Sequence, residues 1–226
     1  MIYPSVDWRE ELFKNYTSNQ RFNLGVRGGG NVATYYVSGS ISQDNGVLKV
    51  DPRNSFNNNI DLKNYSLRAN VNVDLTDRTQ LAVKLNGSFD DYNGPINGGG
   101  SVYRQVMRSS PVDFQPVYPK TERFQFANHP LFGNAEDEDG SFMRNPYAEM
   151  VRGFREYSRS VMNAQLELTQ DLSFLTDGLT ISAMMNTRRN SYFSLSRSFQ
   201  PFWYRASPSG GERGFSLNPL NPQGGT

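Results

Sequence analysis

Six stretches of this chain alternate apolar and polar residues with a period of two, the spacing that puts side chains on opposite faces of a β-strand. They run from Arg21 to Gly28, Val32 to Ser42, Ser66 to Leu75, Gln80 to Asp90, Ser160 to Gln170 and Leu179 to Leu195. The third is the most regular: Leu67, Ala69, Val71, Val73 and Leu75 alternate with Ser66, Arg68, Asn70, Asn72 and Asp74. The connections alternate as well. Residues 28–31, 76–79 and 171–178 form short links rich in Gly, Asp, Asn and Thr, which suit tight turns. Long links separate them, over 43–65, 91–159 and beyond 196. Short, long, short, long is the pattern of a barrel with tight turns on one side of a membrane and elaborated loops on the other. The strands reach the ~9–11 residues needed to cross at a tilt. The predicted fold is therefore all-β: antiparallel up-and-down strands, part of a large transmembrane β-barrel with long extracellular loops. Alternation also suits a soluble sheet with one face on a core. A secreted β-rich glycan-binding or adhesion module is the alternative.

Composition narrows the functions. Lys plus Arg number 23 against 22 Asp plus Glu, a net charge of +1, which excludes the cationic footprint of a nucleic-acid binder. There is no cysteine, so disulfides, thiolate catalysis and cysteine-ligated zinc are excluded. A single histidine, His129, precedes Pro130 without a Ser–His–Asp setting, and no catalytic constellation or cofactor motif is found. Nothing approaches ~18–20 consecutive apolar residues, so no membrane helix is predicted. Tyr35, Tyr36, Tyr65, Phe89, Tyr92, Tyr192 and Phe193 fall near strand ends, where aromatic girdles are expected at the two membrane interfaces. Six strands cannot close a channel, and an isolated sheet would leave two edges open. With no leader ahead of Asp7 and a loop-like end at Thr226, the chain reads as a piece of a longer protein.

The run Asp7-Trp8-Arg9-Glu10-Glu11-Leu12-Phe13-Lys14, followed by Gln20-Arg21-Phe22-Asn23-Leu24-Gly25-Val26-Arg27-Gly28-Gly29, resembles the SusC/RagA family of TonB-linked outer-membrane transporters. Thr34-Tyr35-Tyr36-Val37-Ser38-Gly39-Ser40 with its exit Gln43-Asp44-Asn45-Gly46, and Tyr65-Ser66-Leu67-Arg68-Ala69-Asn70, are similar to family strands. The resemblance is dense over residues 7–90 and looser to 198. It implies a large barrel plugged by an N-terminal domain and capped by a SusD-like lipoprotein. Such a barrel sits in the outer membrane of a Gram-negative, Bacteroidetes-like cell and imports oligosaccharides or peptides with energy relayed by TonB. On this basis residues 1–20 lead from a missing plug region, the part that would meet TonB. Residues 21–198 supply the first six barrel strands, and 199–226 a truncated loop.

Several candidate sites follow. Arg68, Asn70, Asn72 and Lys84 lie on the polar phase, which in a barrel faces a wet interior where a ligand passes. Phe202, Trp203, Tyr204 and Arg205 form an aromatic cluster after the last strand, a candidate stacking platform for a sugar or peptide, with a girdle or packing cluster at the loop base as the favoured reading. Within the acidic turn 134–140, Asp137 and Asp139 are the candidates for calcium, but the twelve-residue calcium-loop spacing is missing and a solvated charge run is the favoured reading. A helix is expected over 101–110, halted by Pro111. Arg188-Arg189, and Arg152, Arg155 and Arg159, read as scattered surface charge and not as a phosphate site.

Overall fold

The computed structural model describes residues 4–209 and 214–222. Six long strands form one antiparallel sheet in sequence order: β1 (Asn19–Gly29), β2 (Ala33–Asn45), β3 (Asp61–Thr76), β4 (Thr79–Pro95), β7 (Gly153–Asp171) and β8 (Thr180–Ser198). Two short strands, β5 (Val117–Tyr118) and β6 (Leu131–Gly133), lie within the long link between β4 and β7. All six predicted strands are present, but they run further at the loop end. The alternation fades there, because strand edges above an apolar band carry no pressure to alternate. β7 and β8 each have 19 residues, about twice what crossing a bilayer requires.

The register sorts side chains into two faces. Leu24, Gly39, Leu67, Gly87 and Met162 share one face, as do Val71, Val83, Leu166 and Met185. No second layer among the described residues covers them: Phe22, Leu24, Leu67 and Leu85 stand 63, 61, 54 and 47% exposed. Apart from Ala82, and Pro95 at the loop end of β4, the described residues of the six long strands add no buried apolar side chain. A soluble sheet would bury one face against something. Here that face is left to the surroundings.

The outward apolar run also slants. Its centre on β1, Leu24, falls opposite residue 67 of β3; its centre on β8, Ala183, falls opposite residue 73. That drift of about six residues is roughly 20 Å along the strands over five strand spacings of roughly 24 Å. The implied tilt is ~40°, within the ~35–45° of closed barrels. Tyr35 lies close to the short turn, its ring over Gly28, where a Cβ would come within 2.6 Å of the Tyr35 hydroxyl. Only glycine leaves room for that ring.

The compact part of the molecule lies at the long-loop end, as a cap. It gathers α1 (Trp8–Leu12), α2 (Gly99–Val106) and α3 (Pro146–Val151) with a four-stranded sheet of order β10-β9-β6-β5, in which β9 is Trp203–Pro208 and β10 is Phe215–Pro219. Trp8 and Leu12 from before the first strand, Leu48 from the link 46–60, Phe114 and Phe132 from the link 96–152, and Trp203 from after β8 meet in one core. α2 ends at Val106, short of the predicted 110. Residues 4–18 therefore belong to the cap, and the chain enters β1 from the loop end of the sheet. Asparagines hold the irregular backbone in place. Asn59 accepts from the Leu48 N–H and donates to the Gly46 carbonyl, Asn58 bridges Asp51 and Lys49, and Asn145 caps α3 while donating to the carbonyls of Pro116 and Gly133. Each splint satisfies backbone groups that a buried loop would otherwise leave unpaired.

Candidate functional site

On the other face of the sheet the polar phase converges into a shallow groove. Arg68 and Asn70 of β3, Lys84 and Asn86 of β4, Asn163 and Gln165 of β7, and Asn186 and Arg188 of β8 line it. Lys84 Nζ lies 3.2 Å from Glu167 Oε2, whereas the Arg68 guanidinium has no partner among the described residues. Of the residues expected in this wall, Arg68, Asn70 and Lys84 come together. Asn72 sits one rung nearer the turns, beside Thr34, Tyr36 and Arg27. Arg188, read from the sequence as scattered surface charge, and Asn186, not singled out there, join them, as alternation counted on from Ile181 allows. Arg188 Nε donates to Asn190 Oδ1 at 3.2 Å, while the Arg68 guanidinium and the groove's amides are open to hydrogen bonding with a polar solute, which is what a wetted channel wall offers.

Nearer the cap, the same face carries a row of tyrosines. Tyr92 stacks on Tyr157 with ring centroids 4.8 Å apart, Tyr192 follows at 5.9 Å from Tyr157, and Arg155 donates to the Tyr192 hydroxyl at 3.1 Å. The girdle expectation is corrected here. Tyr36, Tyr92 and Tyr192 point inward with the polar phase, because they occupy its register positions. Phe193 points outward but lies ten residues beyond the apolar centre Ala183, too far for a membrane border. Tyr65 and Phe89, paired across β3 and β4, do face outward at the upper edge of the apolar band.

The cluster after β8 is not an open platform. Tyr204 is 3% exposed, and the Trp203 ring packs against Phe132 at 6.1 Å. Phe202 lies against the His129 ring at 4.3 Å, and Arg205 forms an exposed pair with Glu136 at 2.9 Å. β9 pairs with both β6 and β10, which turns these rings into the cap's interior. Asp137 spends one carboxylate oxygen on the backbone N–H groups of Asp139 and Ser141, at 3.1 and 2.8 Å. Among the described residues no group of three or more His, Asp or Glu is placed to hold a metal ion.

His129 Nε2 lies 2.9 Å from the Tyr204 hydroxyl. Burial, with Lys120 nearby, lowers its pKa from the usual 6.5, and burial raises that of Tyr204, so both are neutral near pH 7. Folded His129 holds its proton less tightly than the unfolded chain, which takes up protons first as pH falls below 6.5. Cap stability therefore falls with pH below that point and is insensitive to this group above it. Hydrogen exchange of cap amides between pH 5 and 8 should show this loss, and His129→Phe should flatten it.

Two structures of the RagAB peptide importer share this architecture. The closed-closed state aligns with a TM-score of 0.55 and 16% identity over 86% of this chain and 20% of the matched chain. The open-open state gives 0.51 and 18% over 85% and 19%. The chain thus has the fold of a stretch of outer-membrane barrel wall. In sequence, 116 residues (47% of the chain) are 28% identical to TonB-dependent receptor P3 of Formosa agariphila. The alignment takes in 10% of that protein, so the chain spans about a tenth of the curated relative it matches. No family model matches the chain.

Proposed function

We propose that this SusC/RagA-like wall belongs to a TonB-dependent importer of oligosaccharides or peptides in the outer membrane of a Gram-negative, Bacteroidetes-like cell. The observation that carries the reading is the sheet itself: six tilted strands, uncovered on both faces, with an apolar band outward and a groove of Arg68, Asn70, Lys84 and Arg188 inward. A sheet of that kind needs lipid on one side and a wet passage on the other. The inward groove, with Asn72 and the tyrosine row above it, supplies hydrogen-bond donors and ring faces to a passing polar ligand. The cap stands where a SusD-like lipoprotein would seat, and a plug inside the barrel would couple the ligand to TonB. Similarity to a receptor and an importer supports transport over catalysis. The test is uptake of a labelled oligopeptide or oligosaccharide mixture by cells carrying the complete protein. Uptake should vanish when TonB is deleted; uptake that persists without TonB overturns the proposal.

A further inference from the structure

We infer that the outward face carries a binding site for the phosphate of an anionic outer-leaflet lipid, built on Arg189 with the hydroxyls of Ser160 and Ser191. The inference rests on the membrane reading above and goes beyond it, because it concerns the side of the wall that the ligand never meets.

Three observations place it. Arg189 pairs with Met162 across β7 and β8, so it belongs to the outward face, while its neighbour Arg188 turns into the inward groove. Its depth follows from the slant of the apolar band. Arg189 lies six residues above Ala183, the band's centre on β8. At a ~40° tilt that is roughly 15 Å, half of a ~30 Å hydrocarbon core, and so the height of the outer headgroups. On β3 and β4 the same border is marked by Tyr65 and Phe89, rings of the kind that favour it. Finally, the guanidinium is uncommitted. It is exposed and has no hydrogen-bond or ion-pair partner among the described residues. Asp91, the acid of this face next to Ser158, sits two strands and several rungs away, roughly 16 Å by strand spacing.

At headgroup height an arginine carries little desolvation penalty and reaches the lipid phosphates directly. Ser160 and Ser191 are directly opposed one rung above it and both face the same way. Their hydroxyls and the planar guanidinium fork form a donor set that matches phosphate oxygens. Lys63, the outward cation of β3 above Tyr65, is already engaged with Asp61 at 3.5 Å.

The test uses the complete protein in bilayer discs of phosphatidylcholine doped with bisphosphorylated lipid A or with the same lipid stripped of phosphate, with native mass spectrometry counting retained lipid. Wild type should retain the phosphorylated form, Arg189→Gln should weaken retention about fivefold, and Arg68→Gln on the inward face should not. Millimolar inorganic phosphate should not displace the lipid. Equal retention by both variants, indifference to the lipid's phosphates, or displacement by free phosphate overturns the site while leaving the membrane reading intact. Failure of wild type to enter the discs overturns the membrane reading, and the site with it.

Discussion

Val83→Arg should cost the complete protein about 2–4 kcal/mol of insertion free energy, while Asn72→Arg should cost almost nothing. Val83 pairs with Val71 and Leu166 near the centre of the apolar band, on the face that no other described part of the chain covers. A guanidinium there has no water, no counter-charge and no short route to a headgroup, so the full midplane penalty applies. Asn72 is next to Val71 in sequence but points to the polar side, beside Thr34 and Tyr36. Folding titrations into lipid vesicles, followed by the heat-modifiable gel shift of folded barrels, separate the two. Equal losses at both positions would mean that neither face meets lipid.

Phe132→Ala should destabilise the cap by about 3–5 kcal/mol and leave the six-stranded sheet in place. Phe132 is fully buried, and the rings of Tyr147, Phe199 and Trp203 pack around it at centroid distances of 6.1, 6.3 and 6.1 Å. Those rings come from two segments far apart in sequence, the link 96–152 and the stretch after β8, so the cavity left behind loosens both at once. Limited proteolysis should open the cap at 96–152 while the strands stay protected. Phe126→Ala, at a site 86% exposed, should change neither. If Phe132→Ala also unfolds the strands, cap and sheet are one cooperative unit.

How much of this was legible in the chain varies by region. The strands were, because lipid on one side and water on the other impose alternation residue by residue; Leu67 and Arg68 betray their faces without any partner being known. The inward groove was half legible. Arg68, Asn70 and Lys84 lie on the cleanest strands, but Arg188 belongs to a stretch where Thr187, Arg189 and Ser191 interrupt the apolar phase. That interruption is itself geometric: the tilt carries the outer half of β8 out of the hydrocarbon, so its outward face no longer has to be apolar.

The cap was not legible, and the cluster at Phe202–Arg205 shows why. Four aromatic or basic residues in a row satisfy the local description of a binding platform, yet Tyr204 is inside and Trp203 packs on Phe132. Whether an apolar ring is displayed or buried depends on what stands opposite it, and here that is Phe132 and His129, contributed some seventy residues earlier in the chain. The sequence by itself determined the sheet and its two faces, because those obey a periodicity enforced by the solvent on either side. Only the tertiary structure decided the cap, the inward turn of Tyr92 and Tyr192 and the depth of Arg189. Those depend on register and on contacts between distant segments, which no local pattern encodes.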